Sequence, residues 1–113
     1  IRDFVLMAFK YLGIEIIFSG EGVNEVGKVS SCSNPNYQIK VGKEIIKVDP
    51  RYFRPTEVDI LIGDPSKAKK KLGWQATTNL EELVNDMMES DLKLMTKDQF
   101  LIENNFKIFN YFE

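Results

Sequence analysis

The sequence contains no histidine and only one cysteine, Cys32. Without imidazole the usual zinc and haem ligand sets cannot be assembled, and a single thiol cannot close an internal disulfide, so neither a metal site nor a disulfide framework is expected. Cys32 lies in Ser30-Ser31-Cys32-Ser33, with no histidine to take its proton, and reads as an ordinary thiol in a reducing compartment. No apolar run approaches the roughly 20 residues that span a bilayer, and Ile1-Arg2-Asp3-Phe4 lacks the charged-then-apolar order of a signal peptide. A cytoplasmic protein without a membrane partner is therefore expected. Net charge is nearly absent as well: -2 over 113 residues gives no long-range field to gather nucleic acid. The lysines Lys67, Lys69, Lys70 and Lys71 fall near the C-terminal end of an expected helix, where the backbone dipole and solvation favour cations. An initiator methionine is also missing, which suggests that the chain starts partway through a longer one.

Two cofactor signatures are absent. No G-x-x-x-x-G-K-[ST] sequence occurs, and no lysine follows Tyr11, Tyr37 or Tyr52 by four residues; Glu15, Val41 and Thr56 stand there instead. Gly20-Glu21-Gly22 imitates the start of a dinucleotide-binding turn. Glu25 occupies the third glycine's place, however, and no amphipathic helix begins there to offer its N-terminus to a pyrophosphate. No catalytic, cofactor-binding or metal-binding residue is assigned within the chain.

What is present is the pattern of a small α+β protein, with 43% hydrophobic and 28% charged residues. Phe4, Val5, Ala8, Phe9 and Leu12 recur at helical spacing over residues 1–12, with Gly13 as the cap. The β-branched and aromatic run 14–18 reads as a buried strand. Residues 20–36, rich in glycine, serine and asparagine, read as a long irregular loop of the kind that often carries function. Residues 38–41 and 44–48 predict a small hairpin turning at Gly42-Lys43. Asp64-Pro65-Ser66 opens a helix that Gly73 closes, with Ala68 and Leu72 inward and Trp74 just beyond. Leu80, Leu83, Val84, Met87 and Met88 make one apolar stripe over a helix at 79–95, and Glu81 and Glu82 suit its positive end. Residues 96–113 form an aromatic-rich tail, including Phe100, Phe106, Phe109, Tyr111 and Phe112, that must dock somewhere or aggregate.

The string Tyr52-Phe53-Arg54-Pro55-Thr56-Glu57-Val58-Asp59, then Gly63-Asp64 and Lys67-Ala68-Lys69-Lys70-Lys71-Leu72-Gly73-Trp74, resembles the C-terminal region of GDP-mannose 4,6-dehydratases. The Leu72-Gly73-Trp74 helix is shared with extended short-chain dehydrogenase/reductases generally, and the Arg-Pro-Thr-Glu-Val-Asp string narrows the resemblance to this member. It covers roughly residues 1–95. A proline often found two residues after the tryptophan is replaced by Ala76, and the tail has no counterpart.

The resemblance implies that residues 1–95 are the small nucleotide-sugar-binding domain of an enzyme whose NADP-binding Rossmann α/β domain and catalytic groups lie in an N-terminal part. The implied substrate is GDP-mannose and the implied product GDP-4-keto-6-deoxymannose, a precursor of GDP-fucose. A homo-oligomer is implied for the full-length enzyme, and the fragment alone would be inactive. Within the chain, Arg54 is the candidate for the diphosphate and Glu57 for the ribose hydroxyls. The chemistry agrees, because a planar guanidinium can give two parallel hydrogen bonds to phosphate and a carboxylate can accept from a diol. A surface ion pair is the plain alternative for the two side chains. For the chain as a whole, the alternatives are a related nucleotide-sugar epimerase or dehydratase and a non-catalytic interaction module.

Overall fold

The computed structural model describes residues 1–108. Among the described residues, three α-helices and a three-stranded antiparallel sheet make an α+β fold. Helix α1 (Arg2–Tyr11) leads into strand β1 (Ile14–Ser19) through Gly13, whose N–H donates to the Lys10 carbonyl at 2.9 Å. The helix begins without a side-chain cap, as its sequence suggests. Phe4, Val5, Ala8, Phe9 and Leu12 are all half-buried, and α1 packs on β1 and on the last helix.

Strand β2 (Val26–Cys32) pairs with β1, Ile14 facing Cys32 and Ser19 facing Val26, and strand β3 (Glu44–Lys47) lies on the far side of β2. This corrects the reading of 20–36 as irregular backbone: Val26, Val29 and the residues between them supply a central strand. Glu15 faces Ser31 while Ile16 faces Val29, so Ser30 is the extra residue of a bulge that keeps Ile14, Ile16 and Val29 on one face. These three form the buried cluster, with Phe9, Leu12, Phe18, Tyr37, Ile39 and Ile45 packed around them.

The expected hairpin between 38–41 and 44–48 is not formed. Residues 38–41 are not a strand; Val29 takes the hydrogen bonds instead, its N–H donating to the Lys43 carbonyl at 3.0 Å and its carbonyl accepting from Gly42 at 2.8 Å. The pairing with β2 outcompetes a local hairpin because it aligns β3 beside a strand already packed on the core.

Helix α2 (Ser66–Leu72) opens where Asp64 accepts from the Ser66 hydroxyl and from the Ser66 N–H at 3.0 Å; these bonds, the hydroxyl's first, hold the Asp64 carboxyl below the usual carboxylate range. Gly73 closes it with its N–H on the Lys69 carbonyl. Leu72, expected inward, is 81% exposed, and Ala68 is the half-buried residue of the helix. Helix α3 (Leu80–Glu103) starts at a capping box in which the Asn79 side chain accepts from the Glu82 N–H and the Glu82 carboxylate accepts from the Asn79 N–H, both at 2.9 Å.

Helix α3 runs on past Met95 to Glu103, ending at Asn104 and at Asn105, whose φ is 61°. Of its expected stripe, Val84 is fully buried and Met88 half-buried, whereas Leu80, Leu83 and Met87 are exposed. The apolar arc is wider than the surface α1 covers. Phe109, Tyr111 and Phe112 of the tail lie outside the described residues. Replacing Asn79 by alanine is expected to cost about 1 kcal/mol, since it leaves the Glu82 N–H without its side-chain acceptor, while the backbone N–H of residue 79 can still donate to the Glu82 carboxylate; a smaller denaturation midpoint with an unchanged slope is the measurement that checks it.

Candidate functional site

Beyond β3 the chain reverses at Asp49-Pro50-Arg51-Tyr52. Proline presets the turn, the Tyr52 N–H donates to the Asp49 carbonyl at 3.0 Å, and the Asp49 carboxylate accepts from the Arg51 N–H at 2.9 Å and from its Nη2 at 2.7 Å. The Arg51 side chain, then the backbone N–H, hold the Asp49 carboxyl below its usual range. The reversal sends segment 52–58 back across the open end of the sheet toward the start of α1.

An open groove of about 910 Å3 lies between these parts. Helix α1 contributes Ile1, Arg2, Asp3 and Val5; the sheet contributes Phe18, Ile46 and Lys47. The third wall is Tyr52, Phe53, Arg54, Glu57 and Val58. The two residues singled out in the sequence therefore meet at one cleft. Arg54 Nε stands 4.0 Å from Glu57 Oε1, and the side chains are 78% and 66% exposed, so the pair is loose and both groups are open to an incoming ligand.

Two groove residues were not singled out in the sequence. Arg2, on the first turn of α1, donates through Nη2 to Glu25 Oε2 at 2.9 Å and through Nε to Glu25 Oε1, a two-point pair across 23 residues of sequence. The Arg2 hydrogen bond is the main cause that keeps the Glu25 carboxyl below the usual carboxylate range, and the same bond raises the guanidinium. No spacing rule connects residues 2 and 25.

Loop 20–25 does not have the form of a dinucleotide-binding turn for the NADP that the resemblance implies. After Gly20 the backbone makes a three-residue 3-10 turn (Gly22–Asn24) and enters β2, so the loop does not lead into a helix as a dinucleotide-binding turn does. The space beside Gly20 is taken by the Asn24 carbonyl oxygen, 2.4 Å from where a Cβ would stand. Among the described residues no cluster of three or more histidine, cysteine, aspartate or glutamate side chains could hold a metal ion, and no helix is long and apolar enough to cross a membrane.

Comparison with known proteins places residues 1–87 within the family described as GDP-mannose 4,6 dehydratase. A GDP-mannose 4,6-dehydratase of Yersinia enterocolitica is 46% identical over 109 residues, which are 96% of this chain and 29% of that protein. One of Vibrio cholerae is 41% identical over 102 residues, 89% of this chain and 27% of the relative. One of Drosophila melanogaster is 43% identical over 98 residues, 87% of this chain and 22% of the relative. The chain thus spans less than a third of the length of these relatives.

Proposed function

Since the chain belongs to the GDP-mannose 4,6-dehydratase family, we propose that it is the nucleotide-sugar-holding part of a longer enzyme that converts GDP-mannose to GDP-4-keto-6-deoxymannose on the way to GDP-fucose. The observation that carries this reading is the placement of Arg54 and Glu57 on one wall of the groove with both heads exposed. The guanidinium binds the diphosphate through its planar fork, and the carboxylate accepts from the ribose hydroxyls. Aromatic surface from Tyr52 and Phe53 and the cations Arg2 and Lys47 surround the same space.

The lyase chemistry and the NADP site belong, in this reading, to a Rossmann domain of the extended short-chain dehydrogenase/reductase type outside these residues, in a cytoplasmic homo-oligomer. The surface supports a covering partner of that size. Val58, Ile60, Leu61 and Ile62 form a run of large apolar side chains of which Leu61 is 91% exposed, and Leu72 and Trp74 add to the exposed apolar area. The run starts at Val58, a groove residue, so a domain seated on it also closes the groove.

In the full-length enzyme, Arg54→Lys keeps the charge but loses the fork, and KM for GDP-mannose is expected to rise about tenfold while turnover at saturation falls much less. Glu57→Gln is expected to weaken binding less, because an amide oxygen still accepts. Steady-state kinetics on the two variants decides: an unchanged KM for Arg54→Lys returns the pair to the status of a surface ion pair.

A further inference from the structure

Arg54 is poorly held by its own contacts. Its ion pair with Glu57 is at 4.0 Å and its side chain is 78% exposed, so something else must define where the guanidinium starts from. The preceding residue supplies that. Phe53 is 39% exposed, against 77% for Tyr52, and its ring is near Gly22: a Cβ at Gly22 would come into ordinary van der Waals contact with it, 3.5 Å from Phe53 Cζ and 3.9 Å from Cε2. Segment 52–58 therefore leans on loop 20–25.

The loop is itself tied together. The Asn24 N–H donates to the Glu21 carbonyl at 3.0 Å, the Glu25 N–H donates to the Gly22 carbonyl at 3.3 Å, and Gly20 packs directly on the Asn24 carbonyl. A displacement of Glu25 is thus transmitted to Gly22. What fixes Glu25 is the two-point pair with Arg2; the Glu25 side chain is 17% exposed, shielded on the groove wall, while Arg2 stands on the first turn of α1. Arg2, Gly22, Glu25, Phe53 and Arg54 all border the same groove.

We infer that Arg2 and Glu25 are positioning residues for Arg54: their ion pair clamps loop 20–25 so that Gly22 braces Phe53, and the brace sets the point from which the neighbouring guanidinium reaches a nucleoside diphosphate. The inference rests on the diphosphate role of Arg54 proposed above. It predicts energetic coupling between groups that do not touch, whereas a merely structural ion pair would change stability and leave ligand affinity alone.

The test uses the full-length enzyme with GDP as the probe, measured by calorimetry, together with KM and kcat for GDP-mannose. Glu25→Gln and Arg2→Lys are made alone and in the Arg54→Lys background, with the exchanged pair Arg2→Glu/Glu25→Arg as a folding control that keeps the two charges opposed. Each single change is expected to weaken GDP binding about fivefold, with the loss falling on KM rather than kcat, and to have almost no further effect once Arg54 is lysine. The exchanged pair is expected to recover part of the lost affinity. A weakened Arg54→Lys with Glu25→Gln either neutral or fully additive to it overturns the positioning role alone. An unchanged affinity in Arg54→Lys overturns the diphosphate reading and the inference with it.

Discussion

Alanine in place of Gly20 is expected to destabilise the protein by about 3 kcal/mol, for two reasons that act together. The backbone at Gly20 has φ +84°, a left-handed conformation that costs a residue with a Cβ about 1–3 kcal/mol. The added methyl would also stand 2.4 Å from the Asn24 carbonyl oxygen and 3.1 Å from its carbon, which is backbone and not a side chain that can swing away. That carbonyl cannot retreat freely, because hydrogen bonds on either side, Asn24 to Glu21 and Glu25 to Gly22, hold the turn. The loop must open or β2 must shift at Val26, where it pairs with both Ser19 and Lys47. Chemical denaturation of the full-length protein, or limited proteolysis near residue 20, reads the effect. An unchanged midpoint and cleavage rate would show that the turn yields at no cost.

The second large effect is expected at Ile14. It is 1% exposed, at the centre of a cluster with Ile16 and Val29, and Phe9 and Leu12 of α1 close over it. Ile14→Ala removes apolar atoms and leaves a cavity that β2 beside it and the side chains packed over it cannot fill, a loss of about 2–5 kcal/mol. Few residues share the load: among the described residues, Ile14, Ile16, Val29 and Val84 are the buried hydrophobics. A domain with a total stability of roughly 5–15 kcal/mol has little margin for such a change. The variant is expected to lose its cooperative thermal transition or to move it well down in temperature, and a transition within a degree or two of the parent would contradict this packing.

Helices were the most legible part of the fold. The stripe from Phe4 to Leu12, the Gly13 and Gly73 stops and the start of the last helix at Asn79, with Glu81 and Glu82 in its first turn, are local chemistry, and the chain obeys them. Strand β2 was hidden because its core contribution is carried by Val29 and by Gly27. A glycine that looks like loop material sits there against Ile16, Phe18 and Ile46, and a Cβ would meet all three within 3.0–3.2 Å. The failed hairpin has a similar origin, since alternation at 38–41 cannot say that Val29, nine residues earlier, claims the hydrogen bonds of Gly42 and Lys43. At the groove, Arg54 and Glu57 were readable because they are three residues apart in a recognisable string. Arg2 and Glu25 were not, because their meeting depends on how α1 packs on β1 and how the turn after β1 leads into β2.

The bare run from Val58 to Ile62 has a consequence for how such a chain must be made. Four of its five residues are β-branched or leucine, Asp59 is its one charge, and none of it is in a strand or helix. Short extended segments of this composition can stack on identical segments of neighbouring molecules, with each backbone completing the next. During synthesis the run competes between self-stacking and the surface meant to cover it. The first depends on the concentration of other nascent chains, whereas in the longer enzyme proposed above the second would be supplied within one polypeptide at a fixed effective concentration. Asp59 near its start and Gly63-Asp64-Pro65 just beyond its end are residues of the kind that disfavour such stacking.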